Sequence, residues 1–134
     1  MNDNDLIIYK NSEGNIIVDA IYKDETLWLT QKGMSKVFDV QVPDISKRLN
    51  DIYNDGELDK NSTISKMEIV QQEGNRQVKR VVDTYNLDAI IAVGYRVNSK
   101  KATEFRIWAT KILKEYMTKG FALNDERFIR GNKY

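Results

Sequence analysis

The side chains that could do chemistry in this 134-residue chain are acids, lysines and arginines, because it contains no histidine and no cysteine. That absence removes serine triads, cysteine hydrolases, and zinc sites built on imidazole or thiolate. What remains is carboxylate or lysine chemistry. Pro43-Asp44 could open a restriction-nuclease-like site, but no acid in the chain is followed two residues later by the lysine such a site needs beside its metal. Asp51, Asp55, Glu57 and Asp59 could offer oxygens to Mg²⁺. A solvated helix end and loop accounts for them more economically, since charge clusters belong at the surface. Gly14, Gly74 and Gly94 stand alone, with no phosphate-cradling loop among them. The expectation is a protein with no catalytic residues, no metal and no cofactor.

A second kind of chemistry, the reading of a polyanion, is better supplied. Lys+Arg number 21 against 20 Asp+Glu, yet residues 1–60 carry a net of −5 and residues 61–134 a net of +6. This asymmetry permits a nucleic-acid-binding face without requiring one. Asp44, Lys47, Asn50 and Arg48, with Gln41 before them, fall on outward positions of one predicted helix. Lysine can pair with guanine edges and asparagine with adenine edges in the major groove. Arg76, Lys79 and Arg80 surround a turn, where they could lie along a phosphate backbone or simply be solvated. Lys100, Lys101, Lys111 and Lys114 lie mainly off the apolar stripe of a later helix. The last two, with Lys119, also complement that helix's negative dipole end.

The elements that must position these residues can be read from periodicity. Leu6–Tyr9 and Ile16–Tyr22 are β-branched runs around Asn11-Ser12-Glu13-Gly14-Asn15, which predicts a hairpin, and Thr26–Leu29 adds a short strand. Thr30 suits the N-cap of a helix over Gln31–Phe38, and Asp39-Val40-Gln41 forms a turn. Pro43 suits the start of a second helix to Asn54, with Ile45, Leu49 and Ile52 buried. Met34, Phe38 and Val40 face this pair's core, and small Ser35 is placed where the helices approach. The pattern is that of a helix-turn-helix, although Asp39 replaces the usual turn glycine, Gly33 weakens the first helix, and Asp44 and Asp51 repel phosphate. An ordinary two-helix packing unit fits the same residues.

Thr63–Gln71 and Gln77–Tyr85 form a β-ribbon around Gly74-Asn75. A short helix over Leu87–Val93 follows, with Asn86 as cap and Gly94 as terminator. The clearest element is Ser99–Lys119, in which Phe105, Trp108, Ala109, Ile112, Leu113, Tyr116 and Met117 recur at helical spacing, with Gly120 as its stop. Ile107 departs from that stripe. The fold class expected is α+β: an N-terminal β-hairpin, a helix-turn-helix-like segment with a following ribbon (winged-helix-like), and a long C-terminal amphipathic helix. Residues 1–120 are expected to form one domain and 121–134 a tail, either a frayed end or the start of a further region. The longest apolar run, Ala89–Val93, is far short of a membrane span and the acidic first residues lack a signal peptide's basic opening, so a cytoplasmic protein is expected.

The stretch Tyr85-Asn86-Leu87-Asp88-Ala89-Ile90-Ile91-Ala92-Val93-Gly94-Tyr95-Arg96-Val97-Asn98-Ser99, with Phe105–Thr110 and Lys119–Asn124, closely resembles the RhuM family of bacterial proteins over essentially the whole chain. That resemblance implies an association with prophages and pathogenicity islands. Phe105–Trp108 with Gly120 is more distantly similar to the BRO N-terminal domain of phage antirepressors, which implies a nucleic-acid-binding or regulatory role. The reading that results is a DNA-binding regulatory module whose partner is double-stranded DNA. Its alternative is a protein-interaction or oligomerisation module, with Ile107 at an interface with a regulatory partner or a second copy.

Overall fold

The computed structural model describes residues 5–119 and 129–130. The chain opens with three antiparallel strands, β1 (Asp5–Lys10), β2 (Ile16–Lys23) and β3 (Thr26–Leu29). Side chains alternate across this meander, so Ile7, Tyr9, Ala20, Leu27 and Leu29 line the face that meets the helices. Leu6, Ile21 and Trp28 line the other face. The Trp28 indole donates to the Lys23 carbonyl at 2.9 Å, which satisfies its one polar atom.

Helices α1 (Gln31–Phe38) and α2 (Val42–Asn54) follow, as the capping and proline signals predict. Thr30 Oγ1 accepts from the Gly33 N–H at 2.9 Å. Asp39 takes the left-handed conformation that ends α1, with φ 59°, so it does the work of the missing turn glycine. A short turn of helix, α3 (Lys60–Thr63), leads into β4 (Ile64–Glu73) and β5 (Arg76–Asn86). Gly74 turns that ribbon at φ 63°. Its base joins β3 through Trp28↔Asn86 and Leu29↔Tyr85, and Met67 and Ile69 pack with Ile21, Trp28 and Leu6 on the outer face. The residue pair β6 (Ile129–Arg130) adds to β1, giving the sheet order β4-β5-β3-β2-β1-β6. The remainder of the expected tail, and Gly120, lie outside the described residues.

The architecture is therefore α+β, with helices α4 (Leu87–Val97) and α5 (Ser99–Lys119) closing the core over the sheet's inner face. Phe105, fully buried, is the hub: its ring meets Tyr9 at 5.0 Å, Trp108 at 5.4 Å and Phe38 at 6.5 Å between centroids. Trp108, on the predicted apolar stripe, is only half-buried, with its ring against Tyr9. Met117 leaves the predicted stripe and is 58 % exposed, because the helix's inner row is already filled by Ala109, Ile112 and Tyr116. Among the described residues no helix is long and apolar enough to cross a membrane.

Gly94 does not end α4. Asn86 does cap α4, accepting from the Ala89 N–H at 3.2 Å, but the helix runs on through Gly94 to Val97. Gly94 is buried inside it, and a Cβ there would lie 2.6 Å from Phe38 Cζ and 2.8 Å from Ala102 Cβ. The glycine is a contact surface between α1, α4 and α5 rather than a stop signal. Gly94→Ala should therefore lower unfolding free energy by about 1 to 3 kcal/mol, the usual cost of overpacking a filled core. Phe38→Leu made in addition should recover part of that loss in urea titrations. An alanine variant as stable as the parent would show that the three helices do not meet as described.

Candidate nucleic-acid interface

The helix pair is built from the inside outward. Met34, Val37 and Phe38 of α1 and Ile45, Leu49 and Ile52 of α2 are buried in the core, and Val40 packs against it from the turn. Ser35 is half-buried and its hydroxyl donates to the Lys32 carbonyl at 2.7 Å. With one row of α2 committed inward against α1 and α4, its opposite row stands in solvent: Gln41, Asp44, Lys47 and Asn50 are all exposed. Asp44, Lys47 and Asn50 lie three apart, so within the helix they wind across its outer side over about two turns, with Gln41 at the N-cap before them. Gln41 occupies the N-cap position without a side-chain bond to the helix, and Pro43 opens the first turn. Arg48 lies at the flank, half-buried and 3.7 Å from Asp51, a surface pair that fixes little.

The other predicted cations are placed on two further surfaces. On the ribbon, Arg76 and Lys79 are exposed and have no ion-pair partner among the described residues. Arg80 differs. Its Nε and Nη2 donate to both oxygens of Glu73 at 3.0 and 2.8 Å, a two-point bond that occupies its fork. On α5, Lys100, Lys111 and Lys114 are exposed on the side away from Phe105, with Ile107 among them at 58 % exposure, and Lys101 is half-buried. None of these four lysines has an ion-pair partner among the described residues.

Asn98, Tyr95 and Glu57 make contacts that sequence reasoning did not indicate. Asn98, between α4 and α5, accepts from the Lys101 N–H at 3.2 Å and donates to the Phe38 carbonyl at 3.0 Å, capping α5 while tying it to the end of α1. Asparagine three residues before a helical amide is an N-cap signal that could have been read; its bond to Phe38, 60 positions away, could not. Tyr95 accepts from Arg106 Nε at 3.0 Å, and hydrogen bonds from Thr103 and then Arg106 hold its phenol below the ordinary range. Glu57, one of the clustered acids, is taken by Arg96, and among the described residues no three acids gather closely enough to hold a metal.

A family model described as Virulence protein RhuM family matches residues 62–134, more than half of the chain. The chain belongs to the RhuM family. No curated protein and no solved structure matches it. The RhuM match is narrower than the whole-chain resemblance expected from the sequence: it takes in the ribbon, α4, α5 and β6 and leaves α1 and α2 outside. The likeness to phage antirepressor domains has no counterpart in it. Within the matched region, Asn98 at the α4–α5 elbow, Gly94 against Phe38, and Arg96 with Glu57 join the RhuM segment to the helix pair and loop that precede it.

The ribbon's two-point ion pair generates a direct test. Arg80 hydrogen bonds hold the Glu73 carboxyl below the ordinary glutamate range. The pair is therefore present above the unfolded-state value and is lost as pH falls through the lower folded value. In side-chain NMR titrations Glu73 should protonate at lower pH than the other exposed glutamates, and Arg80→Ala should return it to their range. An unshifted Glu73 in the parent protein would mean that Arg80 is not engaged in solution.

Proposed function

We propose that this chain is a non-catalytic DNA-binding regulatory module that reads duplex DNA through α2, in the manner of a winged helix. The observation that carries the reading is the uncovered row Gln41, Asp44, Lys47 and Asn50 on a helix whose opposite row is locked onto α1 and α4. A helix held this way can enter a major groove without exposing its core. Asn50 and Lys47 carry the donors and acceptors for base edges, and Arg76 and Lys79 on the ribbon are free for phosphate. Arg80 joins them only if Glu73 releases it.

Affinity in this reading comes from elsewhere than specificity. Residues 30–60 hold six acids against five Lys/Arg, so α2 itself offers little net attraction to a polyanion. Lys100, Lys111 and Lys114, with Lys101 at their flank, supply it. Ile107 among those lysines favours a second reading, in which the outer side of α5 docks a regulatory protein.

Binding to random-sequence duplexes across a salt series separates these roles, because each phosphate contact contributes about −0.9 to the slope of log affinity against log salt. Asn50→Ala should blur sequence preference and leave the slope nearly unchanged. Lys111→Ala with Lys114→Ala should weaken all sequences alike and flatten the slope by up to about 2. Absence of duplex binding at about 50 mM salt, where screening is weak, would defeat the DNA reading and leave the protein-docking one.

A further inference from the structure

Strand β4 ends the sheet on one side, and its outer edge has no neighbouring strand among the described residues. Along this strand Lys66, Glu68, Val70 and Gln72 are exposed, and residues 68–72 also form one wall of a cleft of about 580 Å³ whose other wall includes Ile16, Ile17, Lys32 and Lys36. A long open edge is a template for another strand, and proteins ordinarily guard it with charge. Here the charges are Lys66 and Glu68, two residues apart and of opposite sign, with Glu73 beside the turn already held by Arg80. That arrangement repels most incoming strands and suits one.

The register with β5 fixes what the edge presents. The two-residue turn Gly74-Asn75 closes on the pair Glu73↔Arg76, and the ladder runs without a break to Ile64↔Tyr85. In a two-residue hairpin the pair flanking the turn exchanges both hydrogen bonds, so the odd-numbered residues of β4 bond to β5. The even-numbered ones, Ile64, Lys66, Glu68 and Val70, therefore turn their N–H and C=O groups outward. Their side chains also share one face. On it Lys66 reaches back to Asp83 at 2.8 Å, Glu68 has no ion-pair partner among the described residues, and Val70 is 58 % exposed.

We propose that β4 is the interface for a second copy of this chain, paired antiparallel about a two-fold axis at residue 67. In that register Lys66 of each copy faces Glu68 of the other, and Ile64 faces Val70. The carboxylate without a partner gains one, a row Asp83–Lys66–Glu68 forms on each side of the axis, and the exposed valine is covered. Neighbouring registers fail on charge: an axis at residue 66 sets Lys66 against Lys66, and one at residue 68 sets Glu68 against Glu68. Cross-strand opposite charges stabilise a pair and like charges oppose it, so the sequence selects one alignment. The surface buried by seven paired residues is smaller than that of standard stable interfaces, which makes the dimer concentration-dependent. This inference is independent of the DNA reading.

Sedimentation equilibrium of the full chain over a wide concentration range tests it. The parent should pass from monomer to dimer, whereas Glu68→Lys alone and Lys66→Glu alone should each remain monomeric. A mixture of the two variants should associate again, because one edge then carries two lysines and the other two glutamates. Val70→Pro, which removes an outward N–H and none bonded to β5, should be monomeric with an unchanged melting temperature. A parent that stays monomeric throughout, single variants that still dimerise, or a mixture that does not associate would each overturn the proposal.

Discussion

The contact between the Phe38 ring and the bare Cα of Gly94 sets the arrangement of the helices. Phe38 is the last residue of α1, Gly94 lies inside α4, and Ala102 of α5 closes the other side of the same gap. A side chain at position 94 would force these elements apart. Because they close, Asn98 can reach the carbonyl of Phe38, and the ring of Phe38 can meet Phe105 at the centre of the core. α2 then has α1 and α4 to lie on, which buries Ile45, Leu49 and Ile52 and leaves Lys47 and Asn50 in solvent. The exposed row of α2 is thus a consequence of packing on its opposite side.

Local signals in the sequence carried far. The extents of α1 and α5, the Thr30 and Asn86 caps, the inner row of α2, and the ribbon around Gly74 all follow from short-range chemistry: capping hydroxyls and amides, apolar periodicity, and residues suited to turns. What could not be read depends on partners distant in sequence. Gly94 looks like a helix terminator to any local rule, and only its approach to Phe38 explains it. Met117 reads as part of the apolar stripe of α5, but periodicity does not say how wide the buried row is, and the row is filled by Ala109, Ile112 and Tyr116. The candidate site divides in the same way: exposure of the α2 row was legible, whereas the occupation of Arg80 by Glu73 and of Arg96 by Glu57 was not.

Charge is distributed unevenly along the chain. The half that contains α2 is acidic and the half that contains the ribbon and α5 is basic. A module built this way would be drawn to DNA by α5 and the ribbon, with α2 choosing among sequences at modest cost from Asp44 and Asp51. The RhuM match covers the basic half and leaves α2 outside it, so on the proposed reading attraction and sequence choice would lie on different sides of its boundary. A two-fold at β4 would present two such modules to one duplex, with the charged pair Lys66 and Glu68 setting their alignment.

The central claim is that α2 offers its outer row to DNA, and amide NMR of the full chain titrated with a short duplex measures this position by position. Resonances of Gln41, Asp44, Lys47 and Asn50 should shift or broaden together with those of Arg76, Lys79, Lys111 and Lys114. The α2 changes should depend on duplex sequence and the lysine changes on phosphate alone. Perturbations confined to α5 and the ribbon, with α2 unmoved by every duplex, would contradict it.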